Sequence, residues 1–417
     1  MRGLKKIVRR LLPGFVLSAY HLSLAYLGAL LYGFPSRKLI VIGVTGTDGK
    51  SSTIEYINAM FEAAGLRTAL SNSIRVKVGT RTEAATGRSM PGRFFIQRFL
   101  RRALAAGCSA AIIEMTSEGV KQSRHRAIAM DCLVFTNLTP EHIESHGSFE
   151  AYANAKFEIG RALLRSPKRP RIMVANADDR ESARYLALLV EKKHGFSLSH
   201  HAPFSADERG GAFTFEGRTM RVAMPGEFYL KNALAAAEVA HAFGIDTNAI
   251  EKGIARVTQI PGRVRRIECG QNFSVIVDYA LTPDALEKLY QTYGSSKKIC
   301  VFGCAGGGRD TWKRPMLGKL AEDYCESVIL TNDIAYDEDA RSIANDIARG
   351  MKKKPEIILD RRVAIRRSLE LAQKSDVVLI TGMGIDSEIT DENGRTVPWS
   401  DTAVAREELL KLQMRYA

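Results

Sequence analysis

The 417-residue chain has only six cysteines, and no C-x2-C pair is repeated. That excludes a zinc ribbon and offers no disulfide framework. Cys108, Cys132, Cys269, Cys300, Cys304 and Cys325 fall mostly in apolar strand-like or helix-like segments, and read as reduced, buried thiols of a cytosolic protein. There is no internal repeat and no low-complexity stretch, and Pro and Gly are too sparse for disorder. No Ser/His/Asp or Cys/His arrangement for a side-chain nucleophile is visible. The net charge of +14 comes without basic runs interleaved with aromatics, which argues against nucleic acid as a partner. Anionic small substrates, nucleotides and a membrane surface account for that charge equally well.

What is present is a soluble globular composition, 45% apolar and 25% charged. Its length suggests two or three domains. Arg2, Lys5, Lys6, Arg9 and Arg10 open the chain, and nothing charged follows from Leu11 to Ser36. That run is long enough to cross a bilayer, but Pro13, Ser18, Tyr20, His21 and Ser23 make it a weak span. A signal peptide starts the same way. Export, or a single span with the basic end inside, would put everything after it outside, which conflicts with the Gly-Thr-Asp-Gly-Lys-Ser loop that follows within ten residues and needs a cytoplasmic nucleotide. An interfacial or re-entrant helix at the inner face of the membrane is therefore expected, with contact through residues 1–36. The alternative is a helical hairpin packed on the globular body.

A buried-type strand from Leu39 breaks into Thr45-Gly-Thr-Asp-Gly-Lys-Ser-Ser52 and then opens a helix. Gly46 and Gly49 let backbone N–H groups converge on phosphate oxygens. Lys50 adds a point charge, and the Ser51 hydroxyl can ligate magnesium. An ordinary P-loop has glycine five places before Gly49, where this chain has Val44; Gly43 is one residue too far. The loop Thr45, Gly46, Thr47, Asp48, Gly49, Lys50, Ser51, Ser52 is thus a shorter variant of the nucleotide cradle.

From Leu39 onward apolar runs alternate with amphipathic stretches, the pattern of an α/β protein with a mostly parallel sheet. Strands are expected at 39–44, 110–115, 132–136 and 171–175, a hairpin at 212–224, a helix at 229–243, and further strands near 273–277, 298–302, 327–330 and 376–380. Residues 39–260 and 261–417 are expected to form a P-loop domain and a Rossmann-like C-terminal domain. Glu114 ends the second apolar strand, where a parallel sheet delivers it beside the P-loop, and its carboxylate can hold magnesium. His142 follows the next strand, and Lys156 lies on a helix face.

Taken in order, these segments resemble the Mur ligases, ATP-dependent enzymes that build the peptide stem of peptidoglycan. The likeness is nearest the MurE type, which adds the third stem residue. It is carried by Thr45-Gly-Thr-Asp-Gly-Lys-Ser-Ser, Glu114-Met-Thr-Ser, Thr136-Asn-Leu with Glu141-His142, Ala151-Tyr-Ala-Asn-Ala-Lys156, Asn232-Ala-Leu-Ala-Ala, Pro261-Gly-Arg263, Asp278-Tyr-Ala-Leu-Thr-Pro-Asp284 and Gly303-Cys-Ala-Gly-Gly-Gly-Arg-Asp-Thr-Trp-Lys-Arg-Pro315. The resemblance implies that Lys50 holds the β- and γ-phosphates of ATP. It puts one Mg2+ on Ser51 and Glu114, and a second on His142 with a carbamylated Lys156. Asn232 would contact adenine, Arg263 the phosphates and Asp278 the ribose, with Asn137 near the phosphates. Thr116, Ser117, Arg124, Arg309, Asp333, Gly382 and Asp386 would face the muropeptide precursor, UDP-linked or lipid-linked, or the incoming amino acid. A carboxylate would become an acyl phosphate, and an amine would displace phosphate to leave an amide.

The pattern departs from the family in four places. Only about 38 residues precede the P-loop, so the family's UDP-gripping domain is expected to be missing, and a lipid-linked precursor becomes a candidate acceptor. Asp333-Ile-Ala-Tyr336 and Gly382-Met-Gly-Ile-Asp386 stand where diaminopimelate-selecting enzymes carry D-N-P-R and G-K-G-H-E, so diaminopimelate is not supported. Leu281 replaces a histidine, and Tyr229 an asparagine. Ser117-Glu118 and Ser89-Met90-Pro91 replace S-H and T-T-P. Two other readings use the same residues: a MurT-like amidotransferase subunit, and a non-catalytic ATP-binding scaffold.

Overall fold

A computed structural model describes residues 13–390 and 395–416. The expected basic cluster at residues 2–10 lies outside the described residues, and so does the first arm of any N-terminal hairpin. The apolar run forms one helix, Gly14–Leu31, which ends at Gly33 and leads through a short turn at Pro35–Lys38 into the first strand.

Eight strands build the first sheet: β1 (Ile40–Thr45), β2 (Thr68–Ser71), β3 (Arg75–Val78), β4 (Arg81–Ala84), β5 (Ala110–Glu114), β6 (Cys132–Phe135), β7 (Ile172–Asn176) and β8 (Lys192–Phe196). Their order is β4-β3-β2-β5-β1-β6-β7-β8, and from β2 to β8 every neighbouring pair is parallel. The β3–β4 hairpin extends one edge antiparallel. The central strands are apolar on both faces because helices cover both. Ile42, Val44, Ile112 and Val134 pack toward the helices Lys50–Ala63 and Glu227–Ala242. Val41, Ala111, Ile113 and Leu133 pack toward Arg93–Ala105 and Phe149–Leu164.

A small antiparallel sheet follows, made of β9 (Ser205–Asp207), β10 (Gly210–Phe215) and β11 (Arg218–Val222). The hairpin expected at 212–224 is its β10–β11 pair. The second large sheet holds β12 (Arg265–Arg266), β13 (Ser274–Asp278), β14 (Lys298–Phe302), β15 (Ser327–Leu330), β16 (Glu356–Ile357) and β17 (Val377–Thr381) in the order β12-β13-β17-β14-β15-β16. All its pairs are parallel except β12–β13. A last hairpin pairs β18 (Glu388–Thr390) with β19 (Thr396–Pro398).

Register places the chemistry. Val44 pairs with Glu114 and Thr45 with Phe135, so the P-loop, Glu114 and Thr136-Asn137 leave the sheet at one carboxyl edge, where the chain's progress across the sheet reverses about β1. Asp278 pairs with Thr381 at the carboxyl edge of the second sheet. The two carboxyl edges meet: the Thr282 hydroxyl donates to Asp48 Oδ2 at 3.1 Å, and Lys313 reaches Glu141 at 2.7 Å.

Candidate active site

The P-loop needs its two glycines. Gly46 and Gly49 have φ of 150° and 80°, and a Cβ on either would fall 1.9 Å from Thr136 Oγ1 or 2.3 Å from Asn232 Oδ1. The loop is braced from the neighbouring strand end. Asn137 Oδ1 accepts from Asp48 N at 2.9 Å, its amide donates to Asp48 O at 3.2 Å, and Thr136 Oγ1 donates to Asp48 O at 2.7 Å. Asn137 therefore spends its amide on loop geometry. Thr47 does likewise, sharing a 3.0 Å bond with the Tyr152 hydroxyl and accepting from Thr139 N. Thr45 is buried beneath the loop.

At the helix start Lys50 lies 3.9 Å from Glu114 Oε1 and donates to Thr47 O at 2.7 Å. Ser51 Oγ donates to Glu114 Oε2 at 2.8 Å and sits 2.8 Å from Ser73 Oγ. Ser73 N donates to the same carboxylate oxygen at 2.9 Å. Ser73 was not anticipated; it sits in a loop before β3, and no spacing in the sequence points to it. Lys156 projects from Phe149–Leu164 beneath the loop, with Nζ donating to Gly46 O at 2.5 Å and lying 4.9 Å from the centroid of the Tyr152 ring. It is only 2% exposed, and burial, then the Lys50 charge, push its pKa far below that of a free lysine.

Residues from both lobes enclose the cleft. A cavity of ≈ 340 Å³ is lined by Lys50, Ser51, Glu114, His142 and Lys156 on one side and by Arg309, Asp310 and Lys313 on the other. Thr116 and Ser117 line it too, Thr116 while capping the short helix Ser117–Lys121. Asp310 takes the backbone N–H groups of His142 and Ile143, each at 2.8 Å, and this holds His142 at φ 58°. The His142 side chain is 47% exposed to the cleft, and partial enclosure, then Lys156, lower its pKa. Among the described residues Glu141, His142 and Asp310 form a group whose ligand atoms lie within 4.8 Å of one another. Asp310, like Ser73, was missed, although it belongs to the quoted segment beginning at Gly303. A second cavity of ≈ 540 Å³ adjoins the loop and carries Asp48, Gly49, Ser52, Asn232, Arg263 and Asp278 on its wall. Asp278 already accepts from Val264 N at 2.8 Å through Oδ2, and Arg263 stacks 4.9 Å over the Tyr279 ring.

Four expected substrate contacts lie off both cavities. The Arg124 guanidinium is buried against Met90 O and Gln122. Asp333, Gly382 and Asp386 gather instead at the carboxyl edge of the second sheet. Asp333 is buried with Oδ2 unpartnered, and Asp386 is pushed up to about 6 by burial, Asp333 and Asp401. Arg361 nearby is fully committed to Asp401, at 2.6 and 2.7 Å, and to two carbonyls. Arg309 stacks over Tyr336.

The site tolerates the groups the resemblance implies. A neutral buried amine at Lys156 can take up carbon dioxide, which an ammonium cannot. Ser51, Glu114 and a neutral His142 are oxygen and nitrogen donors of the kind magnesium accepts.

The Mur ligase middle domain family matches residues 44–240, and the Mur ligase glutamate ligase domain family matches residues 262–384. A UDP-N-acetylmuramyl-tripeptide synthetase of Roseiflexus sp. is 36% identical over 423 residues, covering 94% of this chain and 82% of the relative. A UDP-N-acetylmuramoyl-L-alanyl-D-glutamate--2,6-diaminopimelate ligase of Syntrophomonas wolfei is 33% identical, covering 87% and 76%. Among solved structures, a ligase of that same name superposes with a TM-score of 0.59 at 27% identity, covering 90% of this chain and 79% of the other. Mycobacterium tuberculosis folylpolyglutamate synthase complexed with ADP superposes with a TM-score of 0.71 at 19% identity, covering 87% and 92%, and shares the fold.

Proposed function

This chain belongs to the Mur ligase family, and we propose that it activates a muropeptide carboxylate as an acyl phosphate and couples it to the amine of an amino acid. It is an ATP-dependent peptide ligase of peptidoglycan precursor synthesis. In our reading residues 39–260 form its ATP-binding domain, residues 261–417 form the second domain, and the cleft between them is the active site. Lys50 meets the β- and γ-phosphates, and the cavity bearing Asn232, Arg263 and Asp278 takes the adenosine. Ser51 and Glu114 would hold one magnesium ion, and His142 with a carbamylated Lys156 a second. Bound magnesium would supply charge neutralisation for the phosphates. Arg309, Thr116 and Ser117 lie where they can orient the two substrates. The acceptor is a UDP-linked or lipid-linked muropeptide, and the chain works in the cytoplasm with residues 1–36 against the inner face of the membrane.

The reaction then needs only positioning. A carboxylate oxygen attacks the γ-phosphorus, the bond to ADP breaks, and the amine displaces phosphate from the acyl phosphate. The amine gives up its protons as the amide forms. The observation that carries this reading is the depressed, buried Lys156 sharing one cavity with Lys50, Ser51 and Glu114. ADP release in a mass-resolved screen of muropeptides against amino acids tests it. One pair should stimulate turnover, and Lys50→Ala should abolish it. ATP binding without stimulation by any pair would replace the ligase with a nucleotide-binding scaffold.

A further inference from the structure

The helix Gly14–Leu31 is apolar around its circumference, yet only Ala25, Gly28 and Ala29 are buried. They lie on the side that packs along the helix Arg93–Ala105. Phe15, Tyr20, Tyr26, Leu27, Leu30 and Leu31 stand in solvent, each 45% to 76% exposed. A helix apolar all round belongs in a protein core or in lipid, and a soluble surface rarely leaves such a face uncovered. Eighteen residues span about 27 Å, enough to cross a bilayer core. Crossing would strip the small-residue seam from Arg93–Ala105, so the seam favours a helix lying in the interface.

Charge identifies what covers the outer face. No acidic residue precedes Asp48, and none occurs between Arg93 and Ala105. Arg37 and Lys38 are exposed just after the helix, and Arg98 and Arg101 are exposed on its neighbour. One exposed carboxylate, Glu83, lies beside Arg98 and is paired with Arg102, so the rim is net cationic, and an apolar face with such a rim matches an anionic bilayer. The helix is also tied to the cleft wall. Arg93 Nη2 lies 2.6 Å from His21 Nδ1 and donates to Gln122 O at 2.8 Å. Gln122 Oε1 accepts from Arg124 at 2.9 Å, and Arg124 donates to Met90 O, beside Ser89 on the cavity wall.

We infer that the outer face of Gly14–Leu31 docks on an anionic bilayer and brings the mouth of the cleft to it, so that the acceptor is a lipid-anchored muropeptide taken from the membrane plane. This rests on the ligase reading for its substrate and on the helix face alone for its docking.

Co-sedimentation of the full chain with phosphatidylcholine vesicles, with and without phosphatidylglycerol, tests the docking. The comparison is a variant carrying Leu27→Glu, Leu30→Glu and Leu31→Glu. Binding should need the anionic lipid and weaken at least about tenfold in the variant. ADP release with a lipid-linked acceptor in the same vesicles should fall in parallel, while ATP binding and the thermal unfolding midpoint in solution stay unchanged and show the variant is folded. Equal vesicle binding by both proteins overturns the inference. So does a wild-type dimer, seen by sedimentation, that the variant abolishes, because a second copy would then cover the face. Lost vesicle binding with undiminished use of the lipid-linked acceptor overturns the delivery role. Failure of every acceptor would sink the ligase reading, and the vesicle arm would still decide the docking.

Discussion

Lys156 shows how one residue's environment sets its chemistry. A lysine in water is an ammonium and inert toward carbon dioxide. Burial and the Lys50 charge both disfavour the ammonium here, so the neutral amine is available. Its nitrogen can bond to the carbon of carbon dioxide, releasing one proton to solvent and leaving an anionic oxygen ligand. Lys156→Ala should then lower kcat about a hundredfold or more, the scale of losing one strong electrostatic group in an active site. Short carboxylates such as formate or acetate should restore part of the rate by refilling the space, and removing bicarbonate should slow the unmodified enzyme. Intact-protein mass measured under bicarbonate should include the mass of one bound carbon dioxide. A rate indifferent to both bicarbonate and added carboxylates would leave Lys156 a packing residue.

At the scale of elements, the carboxyl edge of the second sheet concentrates acid. Asp333, Asp386 and Asp401 stand around Arg361, whose guanidinium is taken by Asp401 and backbone carbonyls. Burial, then Asp333 and Asp401, raise Asp386 from 3.8 to about 6. The folded lobe thus holds a proton that the unfolded chain releases at lower pH. That stabilisation is complete below about pH 3.8 and is lost as pH rises through about 6, to the extent of about 3 kcal/mol. Asp386→Asn should remove the loss. Urea unfolding of both proteins at pH 4 and pH 7.5 should show the variant gaining about that much relative to the parent at the higher pH, and a pH-independent difference would refute the shift. Asp386 and Asp333 also mark how far the sequence was legible. The strand-turn-helix at Ile40–Ala63 and the carboxyl-edge placement of Glu114 could be read directly, because a continuous apolar run followed by glycines has few alternatives. The antiparallel β3–β4 extension could not, since Arg75–Ala84 is too polar to announce itself. Ser73, and Asp310 reaching back across the cleft, depend on tertiary approach between segments far apart in sequence, which no local pattern encodes.

Across the whole molecule, the cleft is closed by a few polar contacts between lobes, and their energetics decide how readily it opens. Glu141 and Lys313 are the most buried ion pair among those contacts, with side chains 13% and 8% exposed. Burial pushes Glu141 up to about 7 against the pull of Lys313; burial lowers Lys313, but Glu141 outweighs it and the ammonium is favoured. The two directions disagree about the pair: burial leaves the Glu141 charge disfavoured on balance, whereas the Lys313 charge is favoured; the 2.7 Å contact supports the attraction, and both record how dry the pair is. Lys313→Met would leave the carboxylate buried without its counter-charge, a loss of about 3 kcal/mol when the group has no escape. Glu141 has two escapes: near neutral pH it can take up a proton, since its pKa already stands at about 7 and loses the pull of Lys313, and at higher pH the lobes can part and return the carboxylate to water. At about pH 9 the expected outcome is therefore opening rather than unfolding, with a larger radius of gyration by small-angle scattering, a raised KM for ATP, and an unfolding midpoint close to that of the parent; near pH 7 the opening should be much smaller. Adding Glu141→Gln to Lys313→Met should recover part of the closure, because the unpaired charge is then gone. If the double variant is as open as the single, the bridge contributes only packing, and the Asp310 contacts to His142 and Ile143 hold the lobes together.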